Sequence, residues 1–151
     1  MDTLHTMLVD LHSINRWIIV FLGLYVLFLS ARGWFGKRAW DDNAGKFSKY
    51  FLIALDVQLL LGLILYFVFV ASQGGFDYVF GNPASRFFLM EHSVMMVIAI
   101  IIAHAGNYAT KKAQPEGKFK RMFIFYGIAF LLILVSIPWP FMPGFGRSLL
   151  F

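Results

Sequence analysis

The sequence predicts an all-α membrane protein: one four-helix transmembrane domain over residues 1–151, an up-down-up-down bundle with the N-terminus and C-terminus outside. Three observations predict it. The chain is 60% hydrophobic and only 14% charged, where a soluble domain is about one quarter charged. The apolar residues gather into four runs, each long enough at ~1.5 Å per residue to span a ~30 Å hydrocarbon core. The 13 Lys and Arg residues concentrate in two of the connecting segments. This composition excludes a disordered chain, which needs low hydrophobicity and high net charge. The absence of cysteine excludes a disulfide framework, thiol catalysis and cysteine-ligated metal sites.

The four spans fall at Leu11–Ser30, Lys49–Phe69, Phe87–Gly106 and Met122–Phe141. Backbone groups in lipid must satisfy one another, so each run is expected to be a helix. They are too long and too evenly apolar for barrel strands. Met1–Asp10 contains no Lys or Arg, so span one lacks the basic n-region of a signal peptide and is expected to be retained. His5, in that segment, reads as solvated. Between spans two and three, Ala71–Arg86 is broken by Gly74, Gly75, Gly81 and Pro83. Its Phe76, Tyr78 and Phe80 suit a membrane interface, as do Trp17, Trp34 and Trp139. The tail Met142–Phe151 reads as an irregular cap.

Charge orients the bundle. Arg32, Lys37, Arg38, Lys46 and Lys49 lie between spans one and two; Lys111, Lys112, Lys118, Lys120 and Arg121 lie between spans three and four. Only Arg16, Arg86 and Arg147 remain for the other side, ten against three. The positive-inside rule places both basic loops in the cytoplasm. Their charge explains topology and attraction to membrane lipid. No motif for base readout accompanies it, so nucleic acid is not an expected partner.

Polar residues inside the spans carry the functional question, because charge in a bilayer is costly. Span one holds His12, Asn15 and Arg16; span two holds Asp56 and Gln58; span three holds Glu91, His92 and His104. Spans one and three are diagonal partners in an up-down bundle. His12 and His92 sit about one and five residues into their spans, a difference of ~6 Å in depth. Two histidines on diagonal helices suit the axial positions of a haem. Leu, Phe, Met95 and Met96 could line an apolar slot, Gly62 could leave room beside it, and Arg16 and Arg86 could meet propionates. Without Cys, covalent attachment is impossible. Hydrogen bonding of each histidine to backbone or water is the competing structural explanation.

Asp56 is expected to be neutral or paired, with Arg16 the long basic side chain inside the spans able to approach it and Gln58 and Asn15 sharing a polar network. Such a network could relay protons or simply join helices. Glu91 is expected against Arg86 or Arg16. His104 has no histidine at its level, so a second haem has no partner for it. A quinone headgroup or proton-uptake role is the weaker alternative to a polar helix end. A metal site of His12, His92, Glu91 and Asp56 ranks third, because no ligand spacing such as H-E-x-x-H supports it. Ser13 and Ser93 adjoin histidines but lack a nucleophile motif.

The segments L-H-S-I-N-R-W in span one, D-V-Q-L-L-L-G-L-I-L-Y-F in span two, R-F-F-L-M-E-H in span three and I-P-W-P-F at the end of span four resemble small bacterial four-helix membrane proteins labelled cytochrome b-like. The resemblance covers most of the chain and implies that His12 and His92 are haem ligands. Larger two-haem cytochromes b use two histidine pairs, and the unmatched His104 departs from that pattern.

The expectation is thus a non-covalent haem b protein of the bacterial inner membrane. It would pass electrons between a quinol or membrane dehydrogenase and an external acceptor, among other membrane redox subunits, rather than act as a catalyst on its own substrate. The alternatives are a cofactor-free accessory subunit of a larger complex, with its polar residues joining helices, and a small transporter or quinone-site protein built around Asp56.

Overall fold

The computed structural model describes residues 2–72, 81–142 and 144. These form four long helices, and no strand occurs among the described residues. They are α1 (Asp2–Phe35), α2 (Asp42–Ser72), α3 (Pro83–Lys112) and α4 (Pro115–Ser136). All four are long and apolar enough to cross a membrane, as expected of a multi-pass membrane protein. Within α3 the segment Phe87–His92 is wound as a π-helix. The expected interface segment around Phe76, Tyr78 and Phe80 lies outside the described residues, as does most of the tail.

Helix ends follow caps rather than hydropathy. Asp41 accepts a hydrogen bond from the Ala44 N–H at 3.0 Å and starts α2 well before the apolar run. Asn82 accepts from the N–H groups of Ala84 and Ser85 ahead of Pro83, and Pro115 opens α4. The segment before span one is helical too, so His5 lies on α1. At the end of α1, the Arg38 N–H bonds to the Gly33 carbonyl and the Lys37 N–H to that of Trp34. Lys37 takes the left-handed turn usually given to glycine, with φ +49°.

The fourth span needs correcting at both ends. It was expected at Met122–Phe141, yet the helix runs from Pro115 to Ser136. The apolar run outlasts the helix because Pro138 and Pro140 cannot donate to a helical ladder, and a residue preceding proline is driven out of the α region. Ile137 is accordingly extended, with φ −69° and ψ 129°.

α1 packs on α2 and α4, and α3 packs closely on α4 but more loosely on α2, so α1 and α3 stand at opposite corners. The core includes Val26, Phe51, Leu55, Ala99, Met122, Tyr126 and Phe130. Outward faces carry Phe21, Phe28, Leu60, Phe67, Ile101 and Leu131, all exposed; such a surface suits hydrocarbon and not water. The buried hydroxyls of three serines are satisfied within the bundle. Ser30 donates to the Leu27 carbonyl, Ser136 to that of Leu132, and Ser48 bonds to the Tyr126 hydroxyl.

Without a hydrophobic drive between helices in lipid, close approach at small residues holds them together. Phenylalanine rings of α4 lie directly on α1 at two glycines, Phe130 on Gly23 and Phe119 on Gly33. A methyl group at Gly33 would be driven into the Phe119 ring, whereas at Gly127 it would only touch Leu27, at 3.8 Å. Gly33→Ala is therefore expected to destabilise the protein by about 1–3 kcal/mol. Gly127→Ala should stabilise it by about 0.5–1 kcal/mol through helix propensity. Thermal unfolding in detergent checks both signs.

Candidate functional site

The end of α4 begins the site. A helix terminus leaves its last carbonyls without intrahelical partners. Here the Ile133 carbonyl accepts from the Ile137 N–H at 3.1 Å and that of Leu134 from the Trp139 indole N–H at 2.8 Å. The Ser136 carbonyl is 2.8 Å from Nδ1 of His92. A carbonyl can only accept, so Nδ1 carries the proton. The other ring nitrogen, Nε2, then keeps its lone pair. A metal-bound histidine is held in the same tautomer by a backbone carbonyl.

His92 closes the π-helical segment. Ser93 donates from its hydroxyl to the Phe88 carbonyl, five residues back, at 2.8 Å. The wider π turn changes which residues of this stretch face inward, and single π turns recur at functional sites. Leu89 and Phe87 are buried there, while Glu91 faces out.

His12 arrives from the opposite corner. Its ring centroid is 6.3 Å from that of His92, with the planes at 63°. Two polar side chains fix the backbone of α1 against α2 at this level. Gln58 donates to the His12 carbonyl at 3.0 Å, and Asn15 donates both to Gln58 Oε1 at 2.7 Å and to the Ala54 carbonyl at 2.9 Å. Gly62 lets α2 approach the imidazole: a Cβ there would stand 3.4 Å from His12 Cε1. His12 Nδ1 is buried and has no hydrogen-bond partner among the described residues, a state that costs about 1–3 kcal/mol.

The separation of the two rings matches that of imidazoles sharing one metal ion. With metal–nitrogen bonds of about 2.0–2.1 Å, rings facing each other across one ion have centroids about 6–6.5 Å apart. Rings in simple edge contact fall in the same range, so the nitrogen accounting is the stronger observation. One ring has Nε2 unspent, and the other has an orphaned nitrogen. The loosely packed helices α2 and α3 leave an open groove of about 280 Å³ along Tyr66, Leu89, Ser93 and Val94, which neither His12 nor His92 lines. It is smaller than most cofactor pockets, which run to about 300–1,000 Å³.

The remaining polar residues divide differently from the expected network. Asp56 does not meet Arg16, Gln58 or Asn15. Its Oδ1 lies 2.8 Å from His104 Nε2, an interhelix pair between α2 and α3. Asp56 and Gln58 are two residues apart and so point about 200° apart around the helix. One joins Asn15 on the α1 side, and the other stands on the outward face, half-exposed. Arg16 lies 5.7 Å over the Trp17 ring. Arg86 pairs with Glu91 at 3.1 Å, which is one of the two pairings expected for Glu91. No group of three or more metal-ligating side chains occurs among the described residues, so His12, His92, Glu91 and Asp56 do not assemble as one site.

The carbonyl of Ser136 and the partner of His104 were missed. A backbone acceptor has no signal in side-chain chemistry, although the I-P-W-P-F segment marks where carbonyls lose their partners. No pairing of His104 with Asp56 was expected, because hydropathy boundaries carry no stagger between helices.

Comparison of the chain with protein-family models, with curated proteins and with solved structures finds no match in any of the three.

His104 and Asp56 are 46% and 50% side-chain exposed on the apolar outer face. Interhelix polar pairs in lipid average about 0.6 kcal/mol and reach about 1.7. A double-mutant cycle with Asp56→Asn and His104→Gln, read by unfolding in mixed micelles, is expected to give a coupling near that range. Additive effects would contradict the pairing.

Proposed function

We propose that the protein is a bacterial inner-membrane electron carrier in which His12 and His92 are the axial ligands of a non-covalent haem b. In this reading the four helices run up-down-up-down, the ten basic residues face the cytoplasm, and the histidine pair lies near the outer face with both termini. The observation that carries it is the tautomer of His92, fixed by the Ser136 carbonyl so that Nε2 is available, beside the orphaned Nδ1 of His12. The resemblance of the four segments to cytochrome b-like membrane proteins points the same way.

Bound haem supplies reversible one-electron chemistry. The chain's own residues do the rest. Ser136 orients His92 and raises its basicity as a ligand. Gln58 and Asn15 tie the backbone of His12 to α2, and Gly62 leaves room beside its ring. Arg16, one turn from His12, adds positive charge that favours the reduced state or meets a propionate. Glu91 offsets Arg86. The looser packing between α2 and α3 would leave a flat macrocycle a way in.

A second reading rests on the Asp56–His104 pair. Its exposure on an apolar face suits an accessory subunit that packs this face against a neighbour, or a quinone headgroup that bonds to the pair. Electrons would then pass between a quinol or membrane dehydrogenase and an external acceptor through other subunits.

The test is the visible spectrum of protein purified from cells supplied with haem, before and after dithionite. A sharp b-type α-band is expected on reduction, lost in His12→Ala and in His92→Ala and kept in Asp56→Asn. A folded but colourless preparation that takes up no added haem would overturn the proposal.

A further inference from the structure

At the other end of the bundle, a cleft of about 420 Å³ lies where α2 and α4 begin and α3 ends. Lys46, Lys49, Lys111 and Lys118 line it, opposed by one carboxylate, Asp42. Lysines at a membrane surface normally splay into water. Lys118 is instead held 5.3 Å over the Trp40 ring, which also lines the cleft. Four ammonium groups around one concavity repel one another, and a bound anion would relieve that repulsion.

A second observation is independent of charge. Thr110, on the last turns of α3, is 7% exposed and lines the same cleft. Its hydroxyl is buried and has no hydrogen-bond partner among the described residues. Ser30, Ser48 and Ser136, the other buried hydroxyls whose bonds are described above, all find acceptors or donors within the bundle. Thr110 Oγ1 is therefore a polar atom in need of a partner, set among cations that would draw an oxyanion to it.

We infer that this cleft is a binding site for a phosphate group, with Lys46, Lys49, Lys111 and Lys118 supplying charge and Thr110 a directed hydrogen bond. The chemistry fits the headgroup phosphate of an anionic phospholipid, whose acyl chains would run down the apolar faces of α2 and α3, and equally a soluble phosphate compound from the aqueous side. Basic pockets between helices at the cytoplasmic face bind such headgroups. The inference is independent of the haem proposal and of the histidine pair.

The test uses the full chain, delipidated in a neutral detergent. Phosphatidylglycerol, phosphatidylcholine and inorganic phosphate are added separately and bound mass is counted by native mass spectrometry. Phosphatidylglycerol is expected to bind at least about tenfold more tightly than phosphatidylcholine. The double variant Lys46→Gln/Lys111→Gln should abolish that preference, and Thr110→Val should reduce it several-fold. Lys120→Gln, whose ammonium sits 5.8 Å over Trp34 instead, should leave it unchanged. Saturable binding of inorganic phosphate that the double variant abolishes would assign the site to a soluble phosphate compound. Binding of neither anion, or an equal loss in Lys120→Gln, would overturn the inference in favour of diffuse attraction to basic loops.

Discussion

A polar atom surrounded by hydrocarbon has no water to turn to, so the chain itself must supply its partner. The described side-chain hydrogen bonds between the helices follow from that constraint. Buried serines bond back to their own helix or to Tyr126. Asn15 and Gln58 close a chain of bonds from the carbonyl of Ala54 to that of His12. The carbonyls at the end of α4 are met by the Trp139 indole and the His92 imidazole. Against this background His12 Nδ1 and Thr110 Oγ1 are buried and have no hydrogen-bond partner among the described residues. They lie in opposite halves of the bundle, and each marks a place where something besides protein could complete the structure.

The first of these places is built by two local irregularities that depend on each other. Prolines after Ser136 end α4 early and leave a carbonyl facing the bundle. The π turn at Phe87–His92 brings an imidazole to that carbonyl. Without the free carbonyl the His92 tautomer would be undetermined, and without the π turn the ring would have to reach it from a different register. The loose packing of α3 on α2 belongs to the same arrangement, since α3 spends its tightest contacts on α4. Under the haem proposal, rigidity falls at the two ligands and slack where a planar group would enter.

Much of this was legible in the amino-acid order, and the limits are physical. Hydropathy located all four helices because about 20 apolar residues have few other fates. It misjudged their ends because Asp41, Asn82 and Pro115, which cap helices, lie outside the apolar runs, and because Ile137–Phe141 stays apolar after Pro138 has broken the ladder. His12 and His92 were identifiable as neighbours from depth and diagonal placement, and their rings do meet at 6.3 Å. Glu91 was expected against Arg86 or Arg16, and it pairs with Arg86. Asp56 with His104 was not expected, because helix stagger and rotation decide such pairs and a single sequence carries neither. The orphaned Thr110 was invisible for a related reason: threonine near a helix end is ordinary until the packing around it is known.

The central claim is that two imidazoles from opposite corners share one iron. Low-temperature electron paramagnetic resonance of the oxidised, haem-loaded full chain tests it most directly, since spin state reports the number of strong axial ligands. A single low-spin ferric signal is predicted, converting to high spin when either His12 or His92 is replaced by glycine and returning when imidazole is added. A high-spin signal in the unaltered protein, or a low-spin signal that survives both replacements, would contradict it.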